Sequence, residues 1–350
     1  VFADTPAKQN IYNEYYRWLS NYEDLELATG SGTSRLDMER LEAVATVIQR
    51  FLPDASSSVL DVGCANGGLL RTLGKKGYTS LMGIDPSAAC VRHVQTLGIR
   101  CVAGDIFSSS FDQVKEKFDC ITLTHVMEHI YDLKNAVERI SATLKENGIL
   151  YIEVPDASRY AEFYTVPYYY IDCEHINHFD ANSLENLFVS RNFSLPEIRN
   201  ISFSIAETKR YPAVYGVFQK RSERKTGRIK FSDQAKNSFV LFLDQSKLHC
   251  ENDKVIQQLV RTQHPIVIWG AGQFTLRLLA NSSLSQCNIQ AFIDSDSNKQ
   301  GRTLAGVLVH SPEFIRNNDS IVVICSALHA KEIEKTVNSL NSKLTTYILK

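Results

Sequence analysis

The chain has 350 residues, enough for two domains with separate cores. Its 38 basic and 39 acidic side chains nearly cancel, which excludes the electrostatic footprint of a nucleic-acid or membrane-surface binder. No apolar run has the length of a membrane span, no signal-peptide pattern opens the sequence, and the eight scattered cysteines form no Cys-x-x-Cys pair, all of which fits a reducing cytoplasm.

Residues 1–50 read as a helical, aromatic N-terminal segment: Tyr12, Tyr15, Tyr16 and Trp18, a Gly30–Ser34 break, then an amphipathic run from Leu41 to Phe51. Strands and helices then alternate. Strand 58–62, helix 67–75, strand 80–84, helix 87–97, strands 100–103 and 118–123, helix 133–144 and strand 148–154 follow in order. Helix 182–191 and strands 197–206 and 212–219 complete a doubly wound parallel α/β sheet over residues 51–220, with ligand sites at the strand carboxyl ends. The charged stretch Lys220–Lys230 reads as a solvated linker and is followed by a long helix over roughly 232–263. Linker and helix together span 221–263 and lead to a second, smaller Rossmann-like α/β domain over 264–350. There, strand 266–269 leads into Gly270-Ala-Gly272 and helix 273–280. Strand 289–293 ends at Asp294, and strand 320–325 and helix 328–339 follow.

The segment Val59-Leu-Asp-Val-Gly-Cys-Ala-Asn-Gly-Gly68 is a buried strand, an acid, a Gly-rich turn and a helix start. Such a turn lets backbone approach a nucleotide-like ligand. Gly63, Ala65 and Gly68 fall one glycine short of the dinucleotide fingerprint. Asp61 argues further against a dinucleotide, because a carboxylate there repels a pyrophosphate and tolerates a cation. The Asp-x-Gly-x-x-x-Gly pattern resembles the first motif of class I S-adenosylmethionine (SAM) methyltransferases. Asp85-Pro86 at the end of the second strand is placed for ribose hydroxyls. Asp105-Ile106 after the third strand is placed for the adenine amine and ring. The fourth strand, opened by Phe118-Asp119, exits at His125 beneath the methyl donor. The candidate donor set is therefore Asp61, Gly63, Cys64, Ala65, Asp85, Pro86, Asp105, Ile106 and His125, with SAM as cofactor.

His125-Val-Met-Glu128-His129 also matches His-x-x-Glu-His, the inverted zinc-peptidase motif. It starts where a nucleotide-binding strand ends, which is the wrong context for that enzyme, and His129 is placed instead toward the substrate. After the fifth strand come Tyr160, Phe163, Tyr164, Tyr168, Tyr169 and Tyr170, an aromatic wall suited to a sugar or nucleobase. Cys173-Glu174-His175-Ile-Asn-His178 then supplies a general base in His175, a neighbouring carboxylate in Glu174 and a second imidazole in His178. Zinc held by Cys173, His175 and His178 is open by residue type, but no fourth ligand is nearby, and no metal ligand is assigned.

These motifs, the Glu174-His175 pair after an aromatic loop, and the Gly270-Ala-Gly272 domain with Asp294, Gly301-Arg302 and Ser311-Pro312 together resemble the sugar C-methyltransferase family. The resemblance implies methylation of carbon 3 of a nucleotide-linked 4-keto-sugar, a small-molecule acceptor with no nucleic-acid or membrane partner. It implies His175 as the base, Glu174 as its orienting partner and His129 as the stabiliser of the enolate oxygen. A tyrosine such as Tyr15 would reach the sugar, with Tyr168, Tyr170 and Gly272 also on the substrate side. Family members carry an N-terminal zinc module. Zinc is therefore expected only if such a module, with Cys-x-x-Cys pairs, precedes Val1-Phe2. O- or N-methylation of a related sugar, or a non-catalytic SAM-binding regulator, are the competing readings.

Overall fold

The structure describes residues 33–171, 174–222 and 229–349. The aromatic N-terminal segment with Tyr12, Tyr15 and Tyr16, residue Cys173 and the centre of the charged linker lie outside these residues. In the computed structural model the chain divides into two units. The first comprises Val1–Arg159, Cys173–Ile205 and Arg210–Lys236, and the second Tyr160–Asp172, Ala206–Lys209 and Asn237–Lys350.

In the first unit, α1 (Arg35–Phe51) begins at Ser34, whose hydroxyl accepts the Asp37 amide at 3.1 Å. Leu41, Val44, Ala45 and Ile48 recur at helical spacing and form its buried stripe. Next come β1 (Ser58–Val62), α2 (Gly68–Lys75), β2 (Ser80–Asp85), α3 (Ala88–Thr96), β3 (Arg100–Ala103), β4 (Phe118–Thr124), α4 (Leu133–Thr143) and β5 (Leu144–Pro155). They are followed by α5 (Ala181–Val189), β6 (Phe193–Ala206) and β7 (Lys209–Lys220). The strand order is β3-β2-β1-β4-β5-β7-β6, with β7 antiparallel to β5 and the pairs from β3 to β5 parallel. Strand alternation divides the core: Leu150 and Ile152 join one apolar cluster, while Ile149 and Tyr151 join the cluster that buries α1. The chain reverses its winding direction between β1 and β4, so the carboxyl ends of these strands open a crevice suited to a ligand.

Strand β6 starts at Phe193, before Pro196, and not after it as the sequence suggested. It is an edge strand, where a missing N–H is tolerated. The helix expected over 232–263 is also two helices, α6 (Gln234–Asn252) and α7 (Lys254–Thr262). Asp253 breaks it by capping α7, accepting the Val255 and Ile256 amides at 2.9 and 3.0 Å.

The second unit holds β8 (Ile266–Trp269), α8 (Gln273–Asn281), β9 (Ile289–Ile293), β10 (Thr303–Leu304), β11 (Val307–His310), β12 (Ile321–Ile324), α9 (Ala330–Leu340) and β13 (Thr346–Ile348). Its sheet order is β10-β11-β9-β8-β12-β13, parallel except for β10 against β11. Apolar clusters cover both faces, one around Ile268 and Phe292 and the other around Val267 and Trp269. Among the described residues no helix is long and apolar enough to cross a membrane.

Candidate active site

The turn after β1 is held in a conformation few side chains accept. Gly63, Ala65 and Gly67 all have positive φ, at 71°, 45° and 74°. A Cβ on Gly63 would sit 2.6 Å from Val126 Cγ2, so glycine is required there by space as well as by backbone. Asp85, at the end of β2, fixes the turn by accepting the Ala65 amide at 2.8 Å, and its other oxygen accepts the Ser87 amide at 2.9 Å. Asp61 is 2 % exposed and accepts the Thr122 hydroxyl at 2.6 Å. Neither acid has an ion-pair partner among the described residues. Burial therefore raises both carboxyl pKa values, Asp61 to about 7 and Asp85 to about 6. Two buried acids without a counter-ion suit a cationic ligand such as a sulfonium bearing an ammonium group, and they oppose a pyrophosphate.

The other donor-side residues have mixed surroundings. Cys64 is buried, its Sγ 3.7 Å from that of Cys101. Pro86 is half-buried. Asp105 accepts the Phe107 amide at 2.6 Å. Ile106 is turned into the main core rather than out to the crevice.

Beside this turn lies a chain of alternating charges that the sequence did not disclose. Arg40, from α1, donates through Nε and Nη2 to Glu153 Oε1 at 3.1 and 2.8 Å, and the Tyr151 hydroxyl donates to the other oxygen at 2.9 Å. His125 has a left-handed backbone (φ 55°), and its amide donates to the Glu153 carbonyl at 2.8 Å. Its ring lies between two glutamates, with Nε2 3.2 Å from Glu153 Oε1 and Nδ1 3.2 Å from Glu128 Oε1. Burial and Arg40 push the His125 pKa down, but the two carboxylates outweigh them and raise it. Glu128 is fully buried, which alone would raise its pKa, yet the surrounding imidazoles bring it down to about 2. Arg40, Glu153, His125 and Glu128 thus form a run in which cationic or protonatable groups alternate with carboxylates, and the two carboxylates favour the protonated form of His125.

Two more imidazoles approach Glu128. His129 Nε2 is 4.0 Å from Glu128 Oε1, and the His129 and His175 rings meet edge to face with centroids 4.9 Å apart. Asn177 clamps the two segments together. Its amide donates to the Glu128 carbonyl at 3.0 Å and its side chain to the Ile130 carbonyl at 2.7 Å. Glu174 enters through its backbone, the carbonyl accepting His129 Nδ1 at 2.9 Å. His178 is 6 % exposed. Of the sequence-derived acceptor residues, the structure brings His129, His175 and the Glu174 backbone together. Arg40, Glu128, Glu153 and Asn177 join them unannounced.

Tyr168, Tyr170 and Gly272 belong to the second unit. Tyr170 is buried there, stacked on Tyr160 at 4.1 Å, with its hydroxyl donating to the Phe163 carbonyl at 2.6 Å. Tyr168 has a left-handed φ of 58°, and its amide donates to the Ser246 hydroxyl at 3.0 Å. Gly272 caps α8, and a Cβ added to it would meet open space. Tyr15 lies outside the described residues.

Residues 36–198 match the methyltransferase domain family, and residues 262–345 match a family described as C2185-like, N-terminal. The chain is 27 % identical over 172 residues to a ubiquinone biosynthesis O-methyltransferase of Coxiella burnetii, covering 46 % of this chain and 70 % of that protein. It is 28 % identical over 132 residues to the mRNA cap guanine-N(7) methyltransferase of Schizosaccharomyces pombe, covering 32 % of this chain and 37 % of that one. A SAM-dependent methyltransferase structure from Clostridium acetobutylicum overlaps 54 % of this chain and 94 % of its own, at 13 % identity and a TM-score of 0.42. The family match over residues 36–198 gives the first unit a SAM-dependent methyltransferase domain.

Proposed function

We propose that the domain methylates a carbon beside the ketone of a nucleotide-linked keto-sugar. One observation carries this reading: the imidazoles of His129 and His175 and the Glu128 carboxylate are grouped one turn beyond the exit of β4, next to the donor turn. A C–H beside a ketone loses its proton only where a base is at hand and the growing enolate oxygen is held by positive charge or N–H groups. A histidine-rich cluster supplies both kinds of group. The enolate carbon then attacks the sulfonium methyl, forming a C–C bond as the C–S bond breaks and S-adenosylhomocysteine leaves. Asp61 and Asp85 would hold the donor, and His175 would be required for enolisation.

The relative from Coxiella burnetii favours a second reading, methylation of a hydroxyl oxygen. One experiment separates them. Incubated in heavy water with a nucleotide-linked 4-keto-sugar and no methyl donor, the protein should introduce deuterium at carbon 3, and His175→Ala should abolish the exchange while keeping its SAM affinity. No exchange in that incubation, together with a methyl-ether product once SAM is added, would establish O-methylation.

A further inference from the structure

We infer that Glu128, His129 and His175 form a binding site for a divalent transition-metal cation. The three donor atoms lie within 4.8 Å of one another. His129 Nδ1 faces the Glu174 carbonyl at 2.9 Å, and a carbonyl can only accept, so Nδ1 carries the hydrogen. In the neutral ring the lone pair is then on Nε2, which faces Glu128 Oε1 at 4.0 Å. With the ring neutral, two electron-pair donors confront each other beside a fully buried carboxylate, too far apart for a hydrogen bond. Two metal–ligand bonds of about 2.0–2.2 Å span that gap. Among the described residues Glu128 Oε1 has only the His125 ring at 3.2 Å, outside good hydrogen-bond geometry, and Oε2 has no hydrogen-bond partner, although the side chain is fully buried.

The donor set is chemically specific. Two imidazoles and one carboxylate, with positions left for an exogenous oxygen, are a catalytic rather than a structural ligand set. The Glu174 carbonyl plays the part that outer-shell acceptors play for metal-bound histidine, fixing tautomer and ring orientation. Asn177 holds the two ligand-bearing segments in register. The wider contacts of the triangle would contract on loading, since donors around a tetrahedral zinc lie roughly 3.3 Å apart. The His-x-x-Glu-His spelling does not create this site. His125 turns between two carboxylates, and the third ligand comes from 46 positions beyond His129.

The inference rests on the proposed reading only for the acceptor oxygen that the cation would hold; it gives His175 the role of a ligand. The test uses the full chain, stripped with a chelator and titrated with Zn²⁺ by calorimetry and with Co²⁺ by absorption. The expected result is one equivalent of Zn²⁺, and cobalt d–d bands without the sulfur charge-transfer band of a cysteine site. Glu128→Gln and His175→Ala should each weaken Zn²⁺ binding by at least about 100-fold and leave SAM affinity unchanged. Zn²⁺ binding equal to the parent in SAM-competent variants, or none in the parent, overturns the site. If Glu128→Gln no longer binds SAM, His175→Ala decides alone. A metal-free protein that still exchanges deuterium with the keto-sugar keeps the C-methylation reading and returns His175 to the role of base. Zinc binding without turnover of any keto-sugar removes that reading and keeps the site.

Discussion

The turn after β1 and the turn after β8 are built alike and equipped differently. In each, the acid ending the next strand accepts the amide of an alanine in the turn at 2.8 Å, Asp85 from Ala65 and Asp294 from Ala271. Each turn opens with a glycine at positive φ whose Cβ would collide with a neighbouring strand exit, Val126 for Gly63 and the Cys325 carbonyl for Gly270. The surroundings diverge. Asp294 is paired with Lys299 at 3.2 Å, so its charge is met within its own unit. Among the described residues Asp61 and Asp85 have no such ion-pair partner, and the neighbouring strand exit carries His125, Glu128 and His129. The shared geometry is the fold's way of making a tight strand-to-helix turn, and the chemistry lies in what surrounds it.

Three measurements press on this contrast. The largest effect is expected at the ion pair that only the first turn has beside it. Arg40→Ala removes the guanidinium from a buried ion pair, leaving the Glu153 carboxylate only Tyr151 and His125, and should cost about 3 kcal/mol in denaturant unfolding. Lys299→Ala breaks a partly exposed pair and should cost no more than about 1 kcal/mol. Next, Asp85→Ala should weaken SAM binding about 100-fold by calorimetry, roughly 2.7 kcal/mol, while Asp294→Ala leaves it unchanged. Equal losses would mean that the two turns share the donor.

The third effect is one of pH. The Asp61 pKa is raised to about 7, so the folded, ligand-free protein binds a proton that the unfolded chain, titrating near 4, does not. Its contribution to stability is therefore fully present below about pH 4 and is lost as pH rises toward 7. A cationic donor favours the ionised carboxylate, so SAM affinity should rise with pH, by at most tenfold per unit below 7, and level off above 8. The Asp61→Asn variant should lose that slope.

Much of the frame was legible in the sequence because it depends on local patterns. Apolar runs between glycines located β1, β3, β8 and β9 to the residue, and Asp61, Gly63 and Asp85 stand at strand ends where any doubly wound sheet puts its ligand. The acceptor side was only half legible. His129 and His175 were nameable by chemistry, but Glu128 looked like a fragment of a peptidase motif, and neither its full burial nor the left-handed backbone at His125 is written in that motif. Arg40 and Glu153 are 113 positions apart, and Asn177 acts mainly through backbone carbonyls. No spacing rule reports such contacts. Asp253, by contrast, was a readable helix cap hidden within an otherwise continuous apolar periodicity.

The 2.6 Å approach that a Gly63 Cβ would make to Val126 has a consequence for how this domain can change over time. Val126 sits between His125 and the segment holding Glu128 and His129, so under the proposed reading the 125–129 turn would serve as a wall for the donor and as the base of the acceptor cluster at once. A mutation that reshapes this turn for a new acceptor also disturbs the donor. The 174–178 segment is tied to it through Asn177, the Glu174 carbonyl and the His175 ring. New acceptors should therefore be acquired by exchanging that segment while the 125–129 turn stays fixed.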